Sequence, residues 1–214
     1  MLQRLSDMLG LGLTPYAMAA VIVLCLYTIQ SEIRFGAKAR AMRGGSSDRG
    51  STIALSLASL VPVAGFLITV RAQRFSQLFH VPGWLIWPGA VPLMVSAAWA
   101  GVALGVLGFL LRLWAVLTLR QRYTRTLLVH DEHAFERGGP YRFVRHPGYL
   151  GSLLCLNGFA LASASVAVFA ISTTATVAAY AYRIRVEDRM LVGRFGAPYE
   201  DYRRKVGALL PFVK

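Results

Sequence analysis

The segment best equipped for chemistry is Gly138 to Gly151, which reads GGPYRFVRHPGYLG. It places arginine, histidine and tyrosine side chains beside glycines and prolines, between two apolar blocks. Because proline is favoured as the first residue of a helix, Pro147 predicts a helix start directly after His146. The free backbone N–H groups of Gly148 and Tyr149 would lie at the positive end of that helix, which binds carboxylate or phosphate groups.

A second polar cluster consists of Arg183 and Glu187, which are four residues apart and therefore share one helix face. The apolar block before it, residues 150–182, is interrupted by Ser-Ala-Ser at 163–165, which predicts a hairpin of two short helices. Such a hairpin would bring Arg183 and Glu187 back to the surface where Tyr149 lies. A helix start, aromatic rings, a histidine, an arginine and a carboxylate together suit a zwitterionic amino acid as ligand.

Each cluster also has a simpler interpretation. Arg145 and His146 are compatible with a basic membrane edge in which proline and glycine form a turn. Arg183 and Glu187 are compatible with a surface ion pair worth about 0.3 to 0.5 kcal/mol. The predicted proximity of the two clusters favours a binding site over two unrelated features.

Composition and charge indicate a membrane protein. The chain has 214 residues, of which 56% are hydrophobic, and a formal net charge of +13. Of its 23 lysines and arginines, five lie in 34–50, six in 120–149 and eight in 183–214. The positive-inside rule places these three segments in the cytoplasm and predicts an N-terminus on the other side. Because the charge is divided among loops that flank apolar runs, it does not form a nucleic-acid-binding face.

The predicted fold class is all-α: one polytopic membrane domain over 1–214 with about five transmembrane helices and a cytoplasmic cofactor pocket. Residues 1–87 would hold the first two spans, 15–33 and 52–70, and residues 88–214 a long third helix to residue 119, the hairpin and the tail. Gly101, Gly105 and Gly108 predict a strip of small residues for close helix packing. Arg112 is expected to extend to the lipid headgroups. One long tilted helix in place of the hairpin would put the C-terminus outside, against the charge pattern.

The two clusters together resemble a known family. GPYRFVRHPGYLG followed by EDRMLVGRFGAPYEDYRRKV is similar to the isoprenylcysteine carboxyl methyltransferases and their bacterial relatives. The family pattern is RHPxY, then, one helical hairpin later, Glu-Glu, phenylalanine-glycine and paired tyrosines. The resemblance covers roughly residues 105–214. The chain departs from the pattern at the acidic pair, which is Glu187 followed by Asp188.

The resemblance implies an integral membrane methyltransferase that uses S-adenosylmethionine and releases S-adenosylhomocysteine, with no metal. Its implied cofactor contacts are the backbone around His133, Ala134, Phe135 and Glu136, then Tyr141, His146, Pro147, Gly148 and Tyr149, and the carboxylate of Glu187. His146 and the helix start would hold the methionine carboxylate, and Glu187 the ammonium. Arg183 would orient the acceptor, and Arg145, also a candidate catalytic residue, would add charge beside the helix start.

The expected acceptor is a lipophilic small molecule reached from the bilayer, with the carboxylate of an isoprenylated cysteine as the family's type substrate. A phospholipid or another lipid that is methylated on nitrogen, oxygen or sulfur is an alternative. A small transporter or scaffold is a remote one, because the spans carry almost no charges and the polar residues gather at one interface. The expected location is the cytoplasmic membrane of a bacterium, with the C-terminus and the site in the cytoplasm.

Overall fold

The structure, a computed structural model, describes residues 14–41, 50–80, 95–119 and 135–211. The regular secondary structure of these residues is helical, apart from an isolated parallel bridge between Val144 and Gly207. The helices are α1 Pro15–Ala41, α2 Ser51–Phe79, α3 Val95–Leu119, a 3-10 turn Gly139–Arg142, α4 Pro147–Ala162, α5 Val166–Phe195 and α6 Ala197–Lys205. The prediction of an all-α chain is confirmed over this part of the sequence.

The helices begin and turn largely where the sequence predicts. Helix α4 begins at Pro147, and the predicted hairpin turn at 163–165 separates it from α5. The hydroxyl of Ser165 accepts a hydrogen bond from the backbone N–H of Val168, which caps the start of α5. Helix α2 extends past the predicted limit at residue 70 and ends at Phe79.

Two helices are long and apolar enough to cross a membrane by length and composition: Ser51–Ser76 within α2, and α3. The apolar part of α1, Pro15–Gln30, and helix α4 are shorter. The 16 residues of α4 extend about 24 Å, less than a typical hydrocarbon core. Large apolar side chains of α2 and α3 point outward, each more than half exposed, as expected where a helix faces lipid: Ile53, Leu57, Leu60, Leu107 and Leu110.

Helix α4 lies at the centre of the bundle, in contact with α1, α2, α3 and α5. It is apolar on all sides, as is typical of a helix buried throughout. On one side Phe159 stacks on Phe66 of α2, with ring centroids 4.4 Å apart. On another, Asn157 donates to the hydroxyl of Thr176 and accepts from that of Thr173, which joins α4 to α5. The helix that carries the RHPGY segment is therefore held from every direction.

The predicted glycine strip on α3 forms the contact with α4. A Cβ atom on Gly101 would lie 2.7 Å from the backbone of Gly158 and Ala162, and one on Gly108 would lie 2.5 Å from the backbone N of Cys155. The facing glycines of α4, Gly151 and Gly158, are equally close to the α3 backbone. The two helices thus pack backbone to backbone, which side chains would prevent.

Arg112 on α3 does not extend to the headgroups, so that prediction is wrong. Its side chain is 6% exposed, and its guanidinium donates to the hydroxyl of Ser152 at 2.6 Å and the carbonyl of Gly148 at 3.3 Å. It also lies over the ring of Tyr27, 5.0 Å from the centroid. The close glycine contacts bring polar groups of α4 within reach of the arginine, so it satisfies its charge inside the bundle rather than at the surface.

Replacing Gly108 with alanine should destabilise the protein by about 1 to 3 kcal/mol, because the new methyl group would overlap the α4 backbone. Gly193→Ala is the matched control, since no atom lies within 4 Å of a Cβ at that helical position. Alanine there should be neutral or stabilising, because glycine is the poorer helix former. Thermal unfolding in detergent measures both variants. A Gly108→Ala protein as stable as Gly193→Ala would contradict the assigned helix contact.

Candidate active site

The two predicted clusters meet at one end of the helix bundle. Helix α5 has 30 residues and α4 has 16, so α5 projects beyond its partner by about 20 Å. The projecting part of α5 carries the arginine and the acidic pair. Beside it lie the start of α2, the end of α3 and the start of α4. The predicted return of Arg183 and Glu187 to the vicinity of Tyr149 is confirmed by direct contacts.

The carboxylate of Asp188 joins three parts of the chain. One oxygen, Oδ2, accepts from the guanidinium of Arg145 at 3.0 Å. The other, Oδ1, lies 3.1 Å from Nε2 of His146 and accepts from the hydroxyl of Tyr199 at 2.6 Å. Asp188 itself is 7% exposed. The second acid of the pair is thus the buried connection between α5, the residues before α4, and α6.

Asp188 is held in its ionised form. Burial alone would raise its pKa, but the hydrogen bonds of His146 and Tyr199 and the charges of His146 and Arg145 outweigh burial and lower the pKa to about 2. Burial, with the adjacent Asp188 charge, raises the pKa of Tyr199 above its ordinary range. The tyrosine therefore stays protonated and donates to a carboxylate that only accepts.

Glu187, unlike Asp188, is accessible. Its side chain is 24% exposed, and its Oε2 accepts a hydrogen bond from the hydroxyl of Tyr149. The same Oε2 lies 4.0 Å from Nδ1 of His146. The His146 and Tyr149 rings are stacked, 5.4 Å apart and within 5° of parallel. A carboxylate, a ring nitrogen and a phenol are consequently fixed side by side.

Arg183 lies behind Tyr149, with 2% of its surface exposed. Its Nε donates to the hydroxyl of Tyr149 at 3.1 Å. Its Nη1 donates to the hydroxyls of Ser51 at 2.9 Å and Thr52 at 2.8 Å, the first residues of α2. Tyr149 thus accepts from the arginine and donates to Glu187, so its hydroxyl links the two groups.

The predicted free N–H at Tyr149 is wrong. The backbone N–H of Tyr149 donates to the carbonyl of His146 at 3.0 Å, because the first turn of α4 closes on the capping residue. Pro147 and Gly148 are buried at this turn, under Arg112. The polar side chains around the start of α4 are therefore better placed for ligand contact than the Tyr149 amide.

Arg145 connects the site to the C-terminal tail. Its guanidinium donates to the carbonyls of Arg203, at 3.0 Å, and Val206, as well as to Asp188. The backbone N–H groups of Arg145 and His146 donate to the carbonyls of Gly207 and Ala208. The tail after α6 thereby runs beside the residues that precede α4 and holds them.

The predicted cofactor-contacting segment packs beneath α6. Phe135 lies 5.1 Å from the ring of Tyr199 and 5.3 Å from that of Tyr202, measured between centroids. The carboxylate of Glu136 accepts from the backbone N–H of Gly138 at 2.7 Å, and the carbonyl of Tyr141 accepts from the hydroxyl of Tyr202. Of the predicted site residues, His133 and Ala134 lie outside the described residues.

The sequence reasoning assigned no contacts to several residues that build the site: Asp188, Tyr199, Tyr202, Ser51 and Thr52. Helix α6 was likewise not predicted. The signal for the two tyrosines was present in the paired tyrosines of the family pattern. No local sequence pattern indicates the hydroxyls of Ser51 and Thr52, because these residues lie far from Arg183 along the chain.

Asp188→Asn should destabilise the protein at neutral pH, because it removes the charge that pairs with the buried Arg145. In the wild type, a pKa of about 2 against an ordinary 3.8 makes the Asp188 contribution complete above about pH 4 and lost as the pH falls towards 2. The pH-dependent part of the Asp188 contribution to the free energy of unfolding is about 2 kcal/mol. The stability gap between wild type and variant should therefore narrow over that range.

Melting temperatures recorded across this pH range test the expectation. Asp201→Asn is the control, because Asp201 is exposed and paired with the exposed Arg204. It should shift the melting temperature little at any pH. A gap for Asp188→Asn that stays constant between pH 4 and pH 2 would contradict the buried ion pair.

The sequence is similar to those of several known proteins. Residues 96–198 match the family model described as Phospholipid methyltransferase. A probable protein-S-isoprenylcysteine O-methyltransferase of Oryza sativa subsp. indica is 29% identical over 147 residues, which cover 68% of this chain and 76% of the relative. Methanethiol S-methyltransferase 2 of Bradyrhizobium diazoefficiens is 39% identical over 71 residues, 33% of this chain and 26% of that protein.

The fold also matches a solved structure, that of the eukaryotic intramembrane Ras methyltransferase isoprenylcysteine carboxyl methyltransferase. The TM-score is 0.59 at 22% identity, over 72% of this chain. The match covers 52% of the solved chain, so this chain spans about half of that structure. Residues 96–198, which match the family model, include both polar clusters of the site. The chain is similar in sequence to protein-S-isoprenylcysteine O-methyltransferases and similar in fold to a solved isoprenylcysteine carboxyl methyltransferase.

Proposed function

We propose that this chain transfers the methyl group of S-adenosylmethionine to a carboxylate on a lipophilic acceptor. The observation that carries the proposal is the convergence of Glu187, His146 and Tyr149 at the start of α4, with Arg183 directly behind them. S-Adenosylmethionine supplies a methyl group on a positively charged sulfur, from which a nucleophile takes it in one in-line displacement. Such a transfer needs positioning and exclusion of water rather than a metal or a covalent enzyme intermediate.

The residues present fit this cofactor. An amino acid moiety carries an ammonium, and the accessible carboxylate of Glu187 provides the opposite charge. The aromatic rings of Tyr149 and Phe135 offer flat surfaces for the adenosine moiety. Further residues of the proposed cofactor site are the backbone around Glu136 together with Tyr141, His146, Pro147 and Gly148. All of them lie near the start of α4 or beneath α6.

The two arginines have different roles in the proposal. Arg183 would orient the acceptor carboxylate through the positive charge of its guanidinium, which Tyr149, Ser51 and Thr52 hold in place. Arg145 is a positioning residue, because its charge is paired with Asp188 and its other donors bind carbonyls of the C-terminal tail. This assignment replaces the catalytic role that the sequence alone favoured for Arg145.

We propose a topology of one domain with five membrane helices and a cytoplasmic site. The start of α2, the end of α3, the start of α4 and the outer part of α5 meet at the same end of the bundle. The segments that flank this end hold 19 of the 23 basic residues. The positive-inside rule therefore assigns this end to the cytoplasm and the N-terminus to the opposite side. The proposed location is the cytoplasmic membrane of a bacterium.

Acceptors of other classes are the alternatives. The matching family model is described as Phospholipid methyltransferase, and one relative is named a methanethiol methyltransferase. In an amine or a neutral thiol, the atom that takes the methyl group carries no negative charge for an arginine to orient, whereas in a carboxylate it does. The buried Arg183 beside Tyr149 therefore favours a carboxylate. The transporter alternative is not retained, because several relatives of the chain are named methyltransferases.

Glu187→Gln should weaken the binding of S-adenosylmethionine about 10- to 100-fold, because it removes the charge opposite the ammonium and keeps the side-chain shape. Arg183→Gln should instead raise the KM of the acceptor and leave cofactor affinity within a few-fold of wild type. Calorimetry and transfer of labelled methyl to an S-isoprenylated N-acetylcysteine measure the two effects. Retained cofactor binding by Arg183→Gln also shows that this variant is folded.

The controls are Glu200→Gln and Arg189→Gln, which remove the same charges from exposed positions on α6 and α5. Both should behave as wild type. Equal losses of cofactor and acceptor affinity in the two site variants would remove the proposed division of roles. Methyl transfer to phosphatidylethanolamine or an alkyl thiol, but not to the carboxylate, would replace the proposed acceptor. Absence of cofactor binding by the folded wild type would overturn the proposal.

A further inference from the structure

The ring nitrogens of His146 face two different carboxylates. Nε2 lies 3.1 Å from Oδ1 of Asp188, and Nδ1 lies 4.0 Å from Oε2 of Glu187. The ring is 5% exposed and stacked on Tyr149, so it cannot turn freely to exchange the two nitrogens. Each nitrogen therefore keeps its own carboxylate neighbour.

Asp188 determines which nitrogen carries the proton. Its carboxylate already accepts from Arg145 and Tyr199, and both groups favour its ionised form. An ionised carboxylate has no proton to donate. The hydrogen bond between Asp188 and His146 must therefore run from Nε2–H to the carboxylate. In the neutral ring, this leaves a lone pair on Nδ1.

The lone pair of Nδ1 and the Glu187 carboxylate form two adjacent acceptors. Their separation of 4.0 Å is too long for a hydrogen bond between them. It is short enough for one ammonium group, at a usual distance of about 2.9 Å from each, to donate to both. The hydroxyl of Tyr149 donates to Glu187 and so fixes this carboxylate opposite the ring.

We propose that Asp188 is a positioning residue that holds His146 as the Nε2–H tautomer, so that Nδ1 and Glu187 together bind a primary ammonium group. The inference rests on the proposed function, in which that ammonium belongs to the methionine moiety of the cofactor. It assigns His146 to the ammonium, whereas the sequence reasoning paired His146 with the methionine carboxylate. Asp188 acts through His146 and does not touch the ligand.

Nitrogen NMR of the protein labelled at histidine tests the tautomer directly. The chain has four histidines, and His146→Gln identifies the signals of interest. At mildly alkaline pH, the wild type should show a protonated Nε2 and an unprotonated Nδ1. Asp188→Asn should shift His146 towards the opposite tautomer or a mixture, because an amide group can donate to Nε2. Asp201→Asn, at an exposed aspartate, should leave the wild-type pattern unchanged.

A binding comparison tests the ligand class. S-Adenosylhomocysteine and an analogue that lacks only the amino group are titrated into wild type, Asp188→Asn and Asp201→Asn. Wild type and Asp201→Asn should prefer the amino-bearing ligand at least about tenfold, and the preference should shrink in Asp188→Asn. This readout is a ratio for each protein, so a general loss of stability does not move it.

The outcomes separate the inference from the proposed function. A wild-type His146 that carries its proton on Nδ1, or an unchanged tautomer in Asp188→Asn, would overturn the inference even if the protein binds the cofactor. Equal affinity of the wild type for the two ligands would overturn the ammonium assignment alone. A wild type that binds neither ligand would overturn the proposed function and the ammonium assignment, while the NMR result would still decide the role of Asp188.

Discussion

The site depends on one buried carboxylate. Asp188 binds the guanidinium of Arg145, the ring of His146 and the hydroxyl of Tyr199, and so ties α5 to the residues before α4 and to α6. Removing an ion from water is costly unless its partners replace the lost hydrogen bonds. Arg145 and His146, before α4, and Tyr199, on α6, replace these hydrogen bonds for Asp188. The position of each segment is consequently coupled to the others through a single side chain.

The start of α4 is held from the side of α3 by a different kind of interaction. Glycines on α3 and α4 allow their backbones to touch, and this contact brings Arg112 to the carbonyl of Gly148. The backbone contact depends on shape, and the contact of Arg112 depends on charge. Both act on the first turns of α4. These interactions and those of Asp188 hold the first turn of α4 from two sides. The proposed ligand contacts lie around that turn. A rigid frame of this kind suits a reaction that depends on positioning.

Local features of the site were predictable from the sequence, and long-range contacts were not. Pro147 predicted the start of α4, and the spacing of Gly101, Gly105 and Gly108 predicted a packing face, because both signals act within a few residues. Arg112 was expected at the surface, because the sequence does not show that α4 offers it a carbonyl and a hydroxyl. The contact of Arg183 with the start of α2 joins residues more than 100 positions apart, which no local pattern reveals.

The acidic pair illustrates the same limit. Adjacent residues on a helix point in different directions, so Glu187 and Asp188 meet different surroundings. The sequence identified the pair and favoured the first acid for ligand contact, in agreement with its exposure. It left the second acid without partners, because Arg145, His146 and Tyr199 reach Asp188 only after the hairpin and α6 have folded.

The central claim is that Asp188 organises the proposed cofactor site through contacts such as the Tyr199 hydroxyl. A double-mutant cycle on S-adenosylmethionine affinity tests it most directly. Calorimetry would compare wild type, Asp188→Ala, Tyr199→Phe and the double variant. If Asp188 is the connection, Tyr199→Phe should weaken binding in the wild type and have little further effect once Asp188 is gone, with a coupling of about 0.5 to 3 kcal/mol. Effects of the two substitutions that simply add would contradict the account.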